Sequence, residues 1–110
     1  MESADKVLQE RIARVQEMEA RLDKSKAVLA ELTEEIQKYY DILDDIAELS
    51  NYLGSDDWKD DFDADERGEL PKDLKRGVLT EDGIFDVLDA DTELRANMAD
   101  ILSKTIRLFL

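Results

Sequence analysis

From Ser3 to Leu53 the chain contains neither glycine nor proline, and apolar residues return at alternating spacings of three and four. The register runs Leu8, Arg11, Val15, Met18, Leu22, Ser25, Leu29, Leu32, Ile36, Tyr39, Leu43, Ile46, Ser50, Leu53. A heptad pattern held this long, with only Arg11, Ser25 and Ser50 as polar exceptions, specifies a helix with one apolar stripe. A continuous helix over 3–53 would be roughly 75 Å long at ~1.5 Å per residue. Val7, Ile12, Val28, Tyr40, Ile42 and Leu49 widen the stripe where a strict two-stranded coiled coil carries charge, so packing by more than one neighbour is expected. The weakest point is Asp23-Lys24-Ser25-Lys26. A break there would make a hairpin, but no Gly, Pro or Asn is present to form the turn, so continuity is expected.

Composition matters next because it decides between helix and disorder, and because it removes whole classes of chemistry. Of 110 residues, 29 are acidic and 15 basic, a net charge of −14, and 40 % are charged. Such a chain is either disordered or built of helices with solvated outer faces, and the sustained heptads select helices. With no cysteine and no histidine, Cys/His metal sites, Cys- or His-based nucleophilic mechanisms and disulfides are all excluded. The negative charge argues against direct binding of nucleic acid or of anionic membranes. No apolar run is long enough for a bilayer span, and Met1–Lys6 does not read as the start of a signal peptide. A cytoplasmic setting is expected. The charge is also focused. Residues 54–70 alone hold 8 acids and 2 bases, and the next ten residues are net positive through Lys72, Lys75 and Arg76.

Beyond the first helix, turn chemistry marks the elements. Gly54 suits a left-handed residue closing the helix, and Ser55 suits an N-cap followed by Asp56 and Asp57 in a first turn. A short helix is expected through about Glu66, closed by Gly68, with Trp58 and Phe62 on one face. Leu70-Pro71 leads into a single helical turn, Lys72–Arg76, stopped by Gly77. Thr80 reads as the N-cap of a last helix over 81–109, with Leu79 and Ile84 at the spacing of a hydrophobic staple. Its apolar face runs through Val87, Leu88, Leu94, Met98 and Ile101. The expected fold is all-α and a single domain over 1–110. A long heptad helix (3–53) leads to a short helix and turn region (55–80), and a C-terminal helix packs antiparallel to the first as a coiled-coil-like hairpin. The last helix is too short to cover the first, so an apolar stripe is left over and homodimerisation through the first helix is expected.

Three candidate sites follow, each with a plainer reading. Asp61, Asp63 and Asp65 match the first, third and fifth positions of a calcium loop, but Glu66 stands where glycine is needed and Lys72 where glutamate is needed. A solvated acidic face is the preferred reading, no metal or other cofactor is expected, and a divalent-cation regulator ranks last among the functions. Trp58 and Phe62 either seal the end of the helix pair, near Tyr39, Tyr40 or Leu53, or form an exposed anchor for a partner; packing is preferred, since a small domain rarely leaves its one Trp unused. Lys72, Lys75 and Arg76 are expected to fold back onto the acidic segment before them. No Gly-rich phosphate loop, nucleophile elbow or catalytic residue is found, and a thin helical domain offers little concavity for a substrate, so an enzyme is not expected.

The stretch Ser55-Asp56-Asp57-Trp58-Lys59-Asp60-Asp61-Phe62-Asp63-Ala64-Asp65-Glu66, followed by Leu70-Pro71-Lys72-Asp73-Leu74-Lys75-Arg76-Gly77-Val78-Leu79-Thr80-Glu81-Asp82, resembles a bacterial family catalogued as domain of unknown function 4298. The heptad-rich first helix is similar too, and the resemblance covers roughly residues 7–100. It implies a small intracellular bacterial helical protein and supplies no catalytic residue, ligand or partner. Within the motif, Leu74 and Arg76 belong to what reads as a structural corner, with Pro71 fixing its entry and Gly77 its exit. The function expected is a non-enzymatic protein–protein interaction or regulatory module. The alternative is an acidic mimic of nucleic acid that blocks a basic nucleic-acid-binding protein.

Overall fold

The computed structural model describes residues 2–109. They form four α-helices, α1 (Glu2–Asp41), α2 (Leu43–Leu53), α3 (Asp56–Glu66) and α4 (Gly83–Phe109), with a 3-10 turn at Gly77–Leu79, and no strand occurs among the described residues. The fold is all-α, as the heptads and caps require. The chain divides into two compact units, Met1–Ile42 and Leu43–Leu110.

The first unit is α1, one helix of 40 residues that runs through Ser25 without interruption. Its sequence is rich in Ala, Leu, Glu, Lys and Arg, all strong helix formers. Pairs one turn apart add to this, among them Arg21 to Glu17 at 2.7 Å and Lys38 to Glu35 at 3.1 Å. The helix expected over 3–53 is instead two helices separated at Ile42. The Ile42 N–H donates to the Tyr39 carbonyl at 3.2 Å, a bond three residues back rather than four. Tyr39-Tyr40-Asp41-Ile42 is a run of aromatic, short acidic and β-branched residues, none of them a strong helix former. Asp44 and Asp45 then fall in the first turn of α2, where carboxylates stabilise a new helix start.

The second unit packs α2 against α4 and α3, and the 3-10 turn against α3 and α4. Along α2 the half-buried positions are Ile46, Leu49 and Leu53, together with Tyr52. The continued heptad had pointed to Leu43 and Ser50. Leu43 is 39 % exposed, and the inward stripe has rotated onto Leu49, a larger apolar group than Ser50. Along α4 the covered positions Ile84, Leu88, Asp91, Met98 and Thr105 recur close to every seven residues, the spacing of a single helix face. The staple expected around Thr80 is the centre of this unit: Leu79 is 6 % and Ile84 2 % exposed, the two buried apolar residues among those described. Each such burial contributes about 1.5–3 kcal/mol.

Local backbone chemistry sets the corners. Ser55 caps α3, accepting from the Trp58 N–H at 3.2 Å and donating to the Tyr52 carbonyl at 2.6 Å. At the other end Gly68 has φ 73°, with the Gly68 N–H on the Asp65 carbonyl and the Glu69 N–H on the Ala64 carbonyl, both 3.0 Å. That double bond pattern satisfies two orphan carbonyls of the helix end. Gly54, expected in a left-handed conformation, is not; the change of direction there rests on the Ser55 cap and on the Ser55 N–H to Tyr52 carbonyl bond at 3.0 Å. The helical turn expected at Lys72–Arg76 is a reverse turn, closed by the Leu74 N–H on the Pro71 carbonyl at 3.2 Å. Gly77 opens the 3-10 turn rather than ending a helix.

Candidate protein-interaction site

Two features stand out as places where this chain could meet another molecule. One is the acidic–aromatic corner in the second unit; the other is the apolar seam of α1.

The corner is built on α3. Trp58 and Phe62, four residues apart, stack with ring centroids 5.2 Å apart and planes 18° from parallel. The Trp58 indole Nε1–H donates to the Val78 carbonyl at 2.8 Å, which ties α3 to the 3-10 turn. Both rings are half-buried. Trp58 is thus occupied within its own unit, with its polar edge satisfied and its face covered.

One turn further on, Asp65 meets Arg76 in an ion pair. The same guanidinium donates from Nη2 to the Pro71 carbonyl and from Nε to the Leu74 carbonyl, the latter at 3.3 Å. A planar fork with several fixed donors is what one side chain needs to hold an ion pair and two carbonyls together. Leu74 lends its carbonyl to this arrangement, while its side chain is 46 % exposed. Of the three cations expected to fold back onto the acidic segment, Arg76 does so, facing α3 of its own chain.

The remaining carboxylates do not converge. Asp61 accepts the Tyr52 phenol hydrogen bond at 2.7 Å. Asp63 is half-buried, and its backbone carbonyl takes the Arg67 N–H at 3.0 Å. Asp65 belongs to Arg76. No group of three His, Cys, Asp or Glu side chains among the described residues is gathered closely enough to hold a metal ion. The Tyr52 phenol is pushed up to about 12, by burial first and then by its hydrogen bond to Asp61 and that carboxylate's charge. Its proton is therefore retained throughout the neutral range. Beyond the C-terminus of α3, the Arg67 guanidinium bonds Glu69 at 2.9 Å and holds that carboxyl below its usual range.

Three partners here escaped the reading of the residues: Tyr52, and the backbone carbonyls of Pro71 and Val78. Tyr52 and Asp61 lie nine positions apart across the Ser55 cap, and carbonyl acceptors leave no mark in a sequence. An open groove of about 440 Å³ lies beside the corner, lined mainly by Leu49, Val78, Ile84 and Val87.

The seam of α1 is different in kind. From Val7 to Tyr40 this helix carries 11 large apolar side chains, each between 41 % and 69 % exposed. Leu8, Val15, Met18, Leu22, Leu29, Leu32 and Ile36 form its central line. No helix among the described residues is long and apolar enough to cross a membrane.

These features define an all-α protein in which a capped, ion-paired corner joins short helices and a separate long helix displays a heptad stripe. The chain belongs to the family described as Domain of unknown function (DUF4298), whose model matches residues 15–101. Neither the curated proteins nor the solved structures give a significant match to the chain.

Proposed function

We propose that this chain is a non-enzymatic protein–protein interaction module of the bacterial cytoplasm, and that it self-associates through α1. The observation that carries the reading is the exposed seam. Apolar patches larger than a few hundred Å² are uncommon on monomers and mark interaction surfaces. The corner supports the same reading from the other side. Trp58, Asp65 and Arg76 already satisfy one another or nearby carbonyls, which is how residues that hold a scaffold behave.

Sedimentation equilibrium tests the proposal. A dimer at roughly 100 μM is expected, and a monomer at that concentration would overturn it. Affinity capture at low and high salt separates it from the acidic-mimic alternative. Docking through an apolar seam persists as salt rises, whereas capture of nucleic-acid-binding proteins that is lost steeply with salt would favour the mimic.

A further inference from the structure

We infer that the partner of α1 is a second copy of α1 running antiparallel, in one register, with its two-fold axis between Asp23 and Lys24. The inference rests on the self-association proposed above and adds its orientation. Because α1 is unbroken from Glu2 to Asp41, one heptad frame applies along the whole seam, and the residues flanking the stripe can be assigned without a shift. An antiparallel pair centred between Asp23 and Lys24 places Val15 against Leu32 of the second copy and Met18 against Leu29. The two polar interruptions meet apolar residues rather than each other: Arg11 faces Ile36, and Ser25 faces Leu22.

The charges beside the seam select this register. In it, Arg14 lies across from Glu35 of the second copy, and Glu19 lies across from Lys26. Each pair occurs twice by symmetry, and no like-charged pair arises. Among the described residues Arg14, Glu19 and Lys26 make no ion pair within the chain, and the exposed Lys38–Glu35 pair is of the weak kind that exchanges partners freely. The remaining flanks are compatible as well. The Arg21 stem covers Val28, and the Thr33 methyl meets Ile12. A slip of one heptad sets Arg21 on Arg21 and Glu19 on Glu19; a slip the other way sets Lys26 on Lys26 and keeps two attractive pairs, Arg21 with Glu35, in place of four. A parallel in-register pair sets Arg14 on Glu19 twice, offset by Arg21 on Lys26 twice, and stacks Arg11 on Arg11 inside the seam. The favoured register is therefore specified by repulsion in its competitors as much as by its own attractions.

The area is sufficient. The 11 exposed apolar side chains, at ~80 Å² each, offer roughly 900 Å² per helix, or about 1,800 Å² for the pair, within the range of stable specific interfaces.

The chain has no cysteine, so an introduced thiol is its only one. Val15→Cys and Leu32→Cys variants of the full chain, mixed in equal amounts in a glutathione redox buffer, give the result directly. The expected product is the mixed 15–32 disulfide, in at least tenfold excess over either symmetric one. Symmetric 15–15 and 32–32 products, or a statistical mixture, would overturn the orientation while a dimer in sedimentation kept the self-association reading. A monomeric wild-type chain would overturn both. A charge exchange reports independently of the cysteines. Arg14→Glu is expected to weaken association several-fold, and Arg14→Glu with Glu35→Arg to restore it. In a parallel pair the double variant would stay weak, because the carboxylate introduced at position 14 would still face Glu19. That outcome would overturn the antiparallel assignment.

Discussion

Replacing Arg76 tests whether the second unit is held by its corner. Arg76→Ala removes one ion pair and two bonds to carbonyls. The pair is neither surface nor core: the Asp65 side chain is 17 % exposed and that of Arg76 33 %. Exposed pairs contribute about 0–1 kcal/mol, and breaking a buried one costs about 3–5 kcal/mol, so about 1.5 kcal/mol is reasonable at this depth. The Pro71 and Leu74 carbonyls can find water afterwards, so each lost bond costs about 0.5 kcal/mol. The total is about 2.5 kcal/mol. A unit whose buried apolar residues are Leu79 and Ile84 rests on a small core, for which roughly 3–5 kcal/mol is typical. The substitution should therefore consume most of its stability. Arg76→Lys keeps the charge but cannot span three acceptors, and should cost about half as much. Trp58 is the only tryptophan and is part of the corner, so its emission during urea unfolding reports on it. With a slope of ~1 kcal/mol per M, the Ala variant should move the midpoint by about 2.5 M. An Ala variant within about 0.5 kcal/mol of wild type, or a Lys variant as stable as Arg, would refute the clamp.

A Cβ on Gly83 would collide with the Gly77 carbonyl oxygen and with Thr80 Oγ1, whereas one on Gly77 meets nothing within 4 Å. Gly83→Ala should destabilise by at least about 2 kcal/mol and Gly77→Ala by less than about 1 kcal/mol, a contrast that thermal melts of the two variants would check. Trp58→Phe keeps a ring on Phe62 but loses the donor to the Val78 carbonyl, so a loss of about 1 kcal/mol is expected by circular dichroism. The Tyr52 phenol gives an alkaline signature. Its folded value of about 12 lies above the ordinary 10.0, so the unfolded chain loses this proton first. The contribution is whole below pH 10 and is lost as pH rises toward 12, so the wild type should lose stability relative to Tyr52→Phe across that window; parallel stability curves would refute the linkage.

What the residues disclosed was local. Ser55 and Gly68 act at the ends of α3, within a few positions of the groups they bond, and their roles could be read from type and spacing alone; Thr80, expected to cap a helix starting at 81, instead closes the 3-10 turn and accepts the Gly83 N–H where α4 starts. The Leu79–Ile84 staple belongs with them, since it needs only a cap and a spacing of five. What escaped depended on the course of the chain in space. Nothing at Ile42 resembles a turn, because the separation there comes from a sum of weak propensities and a favourable restart at Asp44 and Asp45 rather than from one residue. The rotation of the α2 stripe from Ser50 to Leu49 is a choice made by its neighbours α3 and α4, which the heptad count does not contain. Arg76 was legible as a cation returning to an acidic segment, but its selection of Asp65, eleven positions back, required Pro71 and Leu74 to turn first.

Arg11 and Ser25 acquire a role once these levels are joined. On an isolated helix they are flaws in an apolar stripe, and replacing them with leucine would make the stripe stickier. A stripe apolar at every position would, however, accept a partner in several registers and both directions, with little to separate them. Placing one cation and one hydroxyl off-centre sacrifices some affinity, and it penalises every arrangement in which they meet their own copies. The same logic explains why a chain with a net charge of −14 places three of its scarce bases, Arg14, Arg21 and Lys26, beside the seam of α1. Within α1 only Arg21 of the three is ion-paired, with Glu17, but all three discriminate between partners and registers wherever two such helices meet.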